Sequence, residues 1–290
     1  MIIDIDPTSG FCFGVTAAIR RAEELIASGE EVYAVGQMVH NEAEVKRLER
    51  LGLKETTSSS LNDIPGKTVL FRAHGEPPST YSDAEALNIR VVDATCPIVR
   101  KLQEKIRKCY EQLDKDREQI VIFGKQGHPE SIGLIGQTNG EAVLVNSRED
   151  LVKVDPDKFT YLFSQTTMDP DAYYEIERAI RTDTHLVVEE PLQSNCTVCS
   201  HVKRRKPGLR QFSESHDVII FTSGKESSNG KMLFNYCKKY NTRSFWVNST
   251  EEINPEWFKD CWSVGISGAT STPLWQMEKI RDYILMLKKA

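Results

Sequence analysis

The chain has 290 residues, of which 39% are hydrophobic and 27% charged, a composition typical of a soluble globular protein with a well-buried core. Its formal net charge of −5 argues against binding to nucleic acid through overall charge. The first fifteen residues lack the basic and apolar regions of a secretory signal, and no apolar run is long enough to span a bilayer. We therefore expect a cytoplasmic protein with neither a membrane nor a nucleic-acid partner.

Apolar periodicity predicts alternating helices and strands along the chain. The predicted helices cover residues 16–27, 42–51, 99–113, 171–180, 202–212 and 235–240, with a last one from Pro273. The predicted strands cover residues 32–35, 69–71, 91–92, 120–123, 142–145, 161–163, 186–188, 218–221, 245–247 and 264–266. Such alternation is typical of parallel sheets with crossover helices, so we predict the α/β class.

An approximate three-fold repeat divides the sequence. Each repeat begins at a cysteine and continues through a helix and a strand to a polar loop. The pairs of cysteine and loop are Cys12 with His40, Cys96 with His128, and Cys199 with Ser227, which lie 28, 32 and 28 residues apart. We therefore predict three α/β units, at residues 1–96, 97–195 and 196–290.

Polar loops follow the predicted strands and precede helices. They lie at residues 39–41, 72–76, 124–131, 164–167, 223–230 and 268–273. A helix start offers unpaired N–H groups and the positive end of the helix dipole, which suit a phosphate. Serine, threonine and asparagine at such positions are usually only helix caps. Histidine is not a favoured cap, so His40, His74 and His128 in three separate loops indicate a functional site.

Three of the seven cysteines open predicted helices: Cys12, Cys96 and Cys199. A helix N-terminus lowers the pKa of a thiol and so favours the thiolate form that binds metals. Three equivalent thiolates in a three-fold repeat suit an iron–sulfur cluster with one iron left open to substrate. The remaining cysteines lie mostly within helices or beside strands, where a small core residue is expected.

Other interpretations of these residues remain open. The Cys196-x-x-Cys199 spacing also fits a redox dithiol or, with His201, half of a zinc site in a non-catalytic scaffold. The histidine and serine loops could equally serve a phosphate-binding hydrolase or transferase that has no cluster.

Eight short motifs occur in an order found in a known enzyme family. They are GFCFGV at 10–15, VHN at 39–41, RAHG at 72–75, DATCP at 93–97, GHPE at 127–130, QTT at 165–167, SSN at 227–229 and STP at 271–273. With these motifs the chain resembles the 4-hydroxy-3-methylbut-2-enyl diphosphate reductases of the methylerythritol phosphate pathway. It departs from the family at residues 197–203, TVCSHVK, where the family usually has Thr-Ile-Cys, a small residue, Ala-Thr and a later Arg-Gln.

The resemblance implies a trefoil of three pseudo-symmetric parallel-sheet α/β units around a central [4Fe–4S] cluster held by Cys12, Cys96 and Cys199. It implies reductive dehydroxylation of the allylic diphosphate to isopentenyl and dimethylallyl diphosphate, the last step of the pathway, with electrons from ferredoxin or flavodoxin. The implied diphosphate ligands are His40, His74, His128, Ser227, Ser228, Asn229 and Ser271. The implied catalytic residues are Glu130 as proton donor, Thr166 and His128, and Thr166 is also expected to contact substrate.

Overall fold

The structure, a computed structural model of the chain, describes residues 1–185 and 190–287. The strands are β1 (Ile2–Ile5), β2 (Val32–Val35), β3 (Lys54–Thr56), β4 (Thr68–Phe71), β5 (Arg90–Asp93), β6 (Glu118–Phe123), β7 (Val143–Val145), β8 (Phe159–Ser164), β9 (Leu192–Ser194), β10 (Val218–Thr222), β11 (Ser244–Val247) and β12 (Ser263–Gly268). The α-helices are α1 (Phe13–Ala27), α2 (Glu42–Leu51), α3 (Pro78–Ala86), α4 (Pro97–Glu111), α5 (Pro129–Gly136), α6 (Pro170–Asp183), α7 (Ser200–Glu214), α8 (Ser228–Tyr240) and α9 (Leu274–Leu287). Short 3-10 helices cover Ser58–Asp63, Arg148–Lys153, Thr250–Glu252 and Pro255–Phe258.

Within the described residues the strands form three four-stranded sheets, and every strand pair is parallel. The strand orders are β1-β12-β10-β11 in sheet A, β3-β2-β4-β5 in sheet B and β7-β6-β8-β9 in sheet C. The predicted α/β class, with three parallel-sheet units, is confirmed.

The chain divides into two compact units. Compact unit 1 comprises Met1–Glu23, Gln37–Leu53 and Ser200–Ala290, and compact unit 2 comprises Glu24–Gly36 and Lys54–Cys199. Sheet A belongs to compact unit 1, whereas sheets B and C belong to compact unit 2. The division of the sequence at residues 96 and 195 stays a prediction. β1 pairs with β12, so the first strand of the chain joins the sheet built from its last third.

Sheet A carries apolar side chains on both faces because helices cover both. On one face Ile220 belongs to a buried cluster with Met277 of α9. On the other face Phe221, one residue later, belongs to a cluster with Leu209 of α7 and Leu233 of α8. Side chains alternate between the faces of a strand, so β10 can be apolar throughout and still bury every residue.

Sheet C is covered in the same way. Phe123 and Leu162 share a buried cluster with Tyr173 of α6, while Ile122 packs in a second cluster with Leu134 of α5. Sheet B buries a smaller cluster of its own around Phe71. These packed faces leave the carboxyl ends of the strands as the edge from which the polar loops extend.

Five elements were not predicted from the sequence: β1, β3, β9, α3 and α5. The predicted strand at residues 186–188 lies outside the described residues. In the described part of the chain, no helix combines the length and the apolar character needed to cross a bilayer.

Candidate active site

In compact unit 1 the loops that follow β10 and β12 contain four of the predicted diphosphate ligands. Ser227 is the N-cap of α8, and its hydroxyl accepts a hydrogen bond from the backbone N–H of Gly230 (3.0 Å). The hydroxyl of Ser271 donates to the Ser227 hydroxyl (3.2 Å), which joins the two loops. Asn229 and Ser228 occupy the first turn of α8. The two loops therefore form one surface at the helix N-terminus.

The side chain of Asn229 is held in a fixed orientation. Its Oδ1 accepts hydrogen bonds from the backbone N–H (3.1 Å) and the hydroxyl (3.2 Å) of Thr270. Its Nδ2 and the Oγ of Ser228 are buried and have no hydrogen-bond partner among the described residues. Buried polar groups are almost always paired, so these two donors mark a place for an acceptor, and an anion at a helix N-terminus would supply one.

His40 is the predicted ligand that precedes α2, and its loop lies against the loop after β10. The next residue, Asn41, caps α2 through Glu44 and donates from Nδ2 to Oε1 of Gln276 (2.8 Å). Gly224 lies so close that a Cβ atom there would come within 2.2 Å of the carbonyl oxygen of His40. Compact unit 1 thus brings the His40 loop together with the Ser227 loop, and any side chain at position 224 would push them apart.

In compact unit 2 the two remaining predicted histidines lie side by side. The rings of His74 and His128 meet edge to face, with centroids 5.4 Å apart. His128 is the N-cap of α5, contrary to the rule that histidine is a poor cap, and its Nδ1 accepts a hydrogen bond from the backbone N–H of Glu130 (3.2 Å). A nitrogen that accepts carries no proton, so a neutral His128 holds its proton on Nε2, where it can donate.

Glu130 and Thr166, both predicted as catalytic, are bonded to each other at two points. The backbone N–H of Thr166 donates to Oε1 of Glu130 (2.6 Å), and the Thr166 hydroxyl donates to Oε2 (2.9 Å). The Glu130 side chain is almost fully buried. Burial raises the pKa of Glu130 to about 7, although the two bonds from Thr166 oppose the shift. A carboxyl group with this pKa carries a proton in a large fraction of molecules at neutral pH.

Two of the predicted cluster ligands are tied to the same loops. The backbone N–H of Cys199 donates to the carbonyl oxygen of Thr166 (2.9 Å). The backbone N–H of Cys96 donates to the carbonyl oxygen of Ala73 (3.0 Å), the residue before His74. Thr166 therefore contacts Glu130 through its N–H and hydroxyl, and Cys199 through its carbonyl oxygen.

The third predicted ligand, Cys12, lies in compact unit 1 at the start of α1. Its carbonyl oxygen accepts the first helical hydrogen bond, from Thr16 (2.9 Å), and Cys96 accepts the equivalent bond in α4. Cys12, Cys96 and Cys199 thus each stand directly before a helix, and all three are partly exposed.

The remaining thiols are less suited to bind metal. Burial raises the pKa of Cys109 to about 11 and that of Cys237 to about 12, and it also raises the pKa of Cys261. Cys196 packs against the buried cluster of sheet C that includes Tyr173. Because metals bind thiolates, the positions of the cysteines fit cluster ligation at the three helix starts.

Thr197 positions Cys199, a role that was not predicted from the sequence. Its hydroxyl donates to the carbonyl oxygen of Ser164 (2.6 Å) and accepts from the Ser164 N–H (2.8 Å). The Thr197 side chain thus makes the hydrogen bonds that a neighbouring strand would otherwise make with the backbone of Ser164, at the end of β8. These bonds fix the segment between β9 and Cys199. A threonine two residues before a cysteine is the only signal of this role in the sequence.

Gln165, in the QTT motif, has a structural role that was not predicted from the sequence. Its Oε1 accepts from the backbone N–H of Lys125 (2.9 Å) and the hydroxyl of Ser131 (3.0 Å), and its Nε2 donates to the Thr167 hydroxyl (2.6 Å). One amide therefore joins the loop after β8 to the loop that contains His128.

Arg205, in compact unit 1, is a third positioning residue that was not predicted from the sequence. Its buried guanidinium donates to Oδ2 of Asp6 (2.8 Å), to the hydroxyl of Ser267 (3.1 Å) and to the carbonyl oxygen of Gly268 (2.8 Å). Burial alone would raise the pKa of Asp6, but Arg205 and the hydrogen bonds from Thr8 and Ser267 outweigh it and the pKa lies below its usual range. The ion pair fixes the segment that leads to Cys12 and the end of β12.

Comparisons with known proteins cover nearly the whole chain. The profile of a family described as LytB protein matches residues 3–285. A curated protein of Bacteroides thetaiotaomicron, named 4-hydroxy-3-methylbut-2-enyl diphosphate reductase, is 46% identical over 99% of this chain and 99% of its own length. A relative of the same name from Porphyromonas gingivalis is 42% identical over 98% of this chain and 99% of its own.

Two solved structures are also similar. One is of (E)-4-hydroxy-3-methyl-but-2-enyl diphosphate reductase, described as the terminal enzyme of the non-mevalonate pathway. It is 30% identical, with a TM-score of 0.72 over 99% of this chain and 100% of that one. The other is of the E-1-hydroxy-2-methyl-but-2-enyl-4-diphosphate reductase from Plasmodium falciparum. It is 24% identical, with a TM-score of 0.84 over 97% of this chain and 87% of that one, and this similarity supports the fold alone.

Proposed function

The chain belongs to the LytB protein family, and from this premise we propose that it converts 4-hydroxy-3-methylbut-2-enyl diphosphate into isopentenyl and dimethylallyl diphosphate by reductive dehydroxylation. Curated relatives that span the whole chain are named as reductases of this substrate, so the cluster-free hydrolase or transferase is not favoured. The family resemblance drawn from the eight motifs is confirmed.

The observation that carries the proposal is the set of contacts made by Thr166. One residue bonds to a buried acid with a pKa of about 7, Glu130, and to the backbone of a cysteine at a helix start, Cys199. We assign Glu130 as the proton donor to the departing hydroxyl oxygen. Thr166 keeps the carboxyl in place, and its hydroxyl can pass the proton on because it can both donate and accept.

We assign Cys12, Cys96 and Cys199 as the ligands of a [4Fe–4S] cluster. When bound, such a cluster supplies electrons and a Lewis-acidic iron that turns a hydroxyl into a better leaving group. The support from this chain is the placement of these three thiols at helix starts, together with the raised pKa values of Cys109, Cys237 and Cys261 elsewhere.

The diphosphate is assigned to the polar loops. Ser228 and Asn229 offer buried donors with no partner among the described residues, at the N-terminus of a thirteen-residue helix. The other proposed ligands are His40, His74, His128, Ser227 and Ser271, and His128 donates from Nε2. These groups are remote from the bond that breaks, so their binding energy serves to position the hydroxyl.

The electrons are proposed to come one at a time from ferredoxin or flavodoxin in the cytoplasm. A reducing compartment keeps ligand thiols available, which supports this location. The predicted trefoil arrangement of the three sheets around the cluster remains part of the proposal.

Anaerobic purification tests the function. We expect a brown protein with iron and sulfide near four of each per chain, which consumes the allylic diphosphate when a chemical reductant is present. Zinc in place of iron and sulfide would favour the scaffold built on Cys196, Cys199 and His201. A colourless protein that releases phosphate would favour the hydrolase.

A further inference from the structure

The segment that contains His40 is tied to the start of α9 by two pairs of side chains. The Nδ2 of Asn41, the residue after His40, donates to Oε1 of Gln276 in the first turn of α9 (2.8 Å). The indole Nε1 of Trp275 donates to Oε2 of Glu44 in the first turn of α2 (2.9 Å). The N-terminal ends of α2 and α9, both in compact unit 1, are therefore joined to each other.

The Gln276 amide makes a hydrogen bond at each of its two ends. Its Oε1 accepts from Asn41, and its Nε2 donates to the carbonyl oxygen of Asn248 in the loop after β11 (2.7 Å). Gln276 is 3% exposed and Asn41 is 1% exposed, so little water can reach either bond. A buried donor or acceptor that loses its partner costs free energy, and this cost holds the three segments at the distances that one amide can span.

The backbone of the same segment is also closely packed. Gly224, in the loop after β10, lies so near that a Cβ atom there would come within 2.2 Å of the His40 carbonyl oxygen and 3.1 Å of the Asn41 Cα atom. Asn41 is also the N-cap of α2, because its Oδ1 accepts from the backbone N–H of Glu44 (3.1 Å). The two ends of the Asn41 amide thus have separate tasks, one within α2 and one toward α9.

The start of α9 is close in sequence to a second proposed diphosphate ligand. α9 begins three residues after Ser271, whose hydroxyl donates to that of Ser227 (3.2 Å). Gln276 therefore connects the His40 segment to the Ser271 loop. A side chain in this place sets the spacing between ligands on different loops, and an anion bound at several points requires that spacing to be fixed.

We infer that Gln276 is a positioning residue for diphosphate binding, which acts through Asn41 on the proposed ligand His40. The inference rests on the proposed function, because that function assigns the diphosphate to His40. Both ends of the Gln276 amide are used within the protein, so Gln276 affects the anion through its partners. Without this amide the His40 segment can shift. The anion then binds more weakly in the ground state and the transition state alike, which raises KM more than it lowers kcat.

The test measures the affinity of the cluster-loaded enzyme for inorganic pyrophosphate by anaerobic titration calorimetry, together with kcat and KM for the allylic diphosphate. Gln276→Leu keeps the approximate size of the side chain and removes both of its hydrogen bonds. We expect the Kd for pyrophosphate and the KM to rise about tenfold, while kcat stays within about threefold of wild type.

Asn41→Ser removes the same bond from its other end. Serine is as good an N-cap as asparagine but has no amide to donate toward Gln276. This variant should therefore raise the Kd for pyrophosphate as Gln276→Leu does, and it keeps the inference testable if Gln276→Leu does not fold. Because one bond is removed in both cases, the double variant should bind pyrophosphate about as weakly as either single variant. Losses that multiply in the double variant would show that Gln276 does not act through Asn41.

Gln119→Leu is the matched control. Gln119 is a buried glutamine whose amide also joins two segments, through the carbonyl oxygen (2.6 Å) and the N–H (3.1 Å) of Asp155. It lies near the start of β6, at the opposite end of the strand from the polar loop. The control should lose stability in denaturant unfolding and keep the wild-type affinity for pyrophosphate, which distinguishes positioning from a general loss of packing.

Two results would overturn the inference: an equal loss of pyrophosphate affinity in the Gln119→Leu control, or unchanged Kd and KM in folded Gln276→Leu. Failure of the proposed function would look different. A wild-type enzyme that binds pyrophosphate but does not consume the allylic diphosphate would contradict that function, while the ratio of Kd values between variant and wild type would still decide the role of Gln276.

Discussion

The substitution Glu130→Gln keeps the shape of the buried side chain but removes the proton that it can transfer. Glutamine has the same size, and its Oε1 can accept from the backbone N–H of Thr166 as the carboxylate does. The Thr166 hydroxyl can rotate to accept from the new amide. The fold should survive, but an amide cannot give up a proton at neutral pH. Because a positioned general acid contributes about 10²–10⁴ in rate, we expect turnover to fall by that factor.

The same substitution has a stability effect whose sign follows from the pKa. Burial raises the pKa of Glu130 from 4.5 to about 7, so the folded state holds a proton that the unfolded state has lost between these values. Below pH 4.5 the carboxyl is protonated in both states and its burial costs nothing. Between pH 4.5 and 7 only the unfolded state ionises, so the cost grows with pH, and it is complete above about pH 7. At 1.36 kcal/mol per pKa unit the cost is about 3 kcal/mol, and glutamine never incurs it.

Two measurements check these expectations. Steady-state turnover with excess reductant gives the loss in rate, and anaerobic denaturant unfolding at several pH values gives the difference in stability. The variant should gain on wild type as pH rises from about 4.5 to 7 and should keep that gain at higher pH. The control Glu42→Gln changes an exposed carboxylate at the start of α2 and should show neither effect. Turnover like wild type would reject the proton-donor role, and a stability gap independent of pH would reject a buried acid that titrates near 7.

Four further substitutions test the site and its supports. Cys199→Ser should lose cluster iron while Cys196→Ser keeps it; iron and sulfide counts check this, and the reverse result would exchange their roles. Asn229→Ala removes a buried donor and should raise KM for the diphosphate about tenfold or more with a smaller change in kcat, whereas unchanged KM in steady-state kinetics would remove Asn229 from the site. Arg205→Met leaves the Asp6 carboxylate buried without its cation and should cost about 3–5 kcal/mol. Burial raises the pKa of Asp6 once Arg205 is removed, so this loss in denaturant stability should be largest at neutral pH and shrink as acid protonates the carboxyl, and a loss that persists unchanged in acid would contradict the ion pair.

The sequence predicted the central strands of the sheets better than the edge strands β1, β3 and β9 and the short helices α3 and α5. Short continuous apolar runs such as β10 are typical of strands covered on both faces, and these strands were predicted. α3 was missed because it buries only Thr80 and Ala84, so it has no apolar stripe to recognise. α5 was missed because Gly133 and Gly136 lower its helix propensity, and packing in the core supplies what propensity lacks.

The sequence also named candidate side chains without the contacts that orient them. Glu130 and Thr166 were chosen from motifs, but their double hydrogen bond joins residues thirty-six positions apart. Arg205 and Asp6 are separated by 199 positions, and neither residue type signals a buried ion pair. Such pairings depend on how strands and loops meet in three dimensions, which local periodicity does not encode.

The pairing of β1 with β12 has a consequence for the order in which the protein is made. During synthesis Ile2–Ile5 are made long before their partners in the sheet, Ser263–Ile266. The segment that leads to Cys12 therefore stays unanchored until β12 has been made, so a metal centre that includes the proposed ligand Cys12 would form only after that point. Stalled nascent chains that lack β12 should accordingly show rapid amide exchange at Ile2–Ile5, and protection there would mean that the strand docks without its partner.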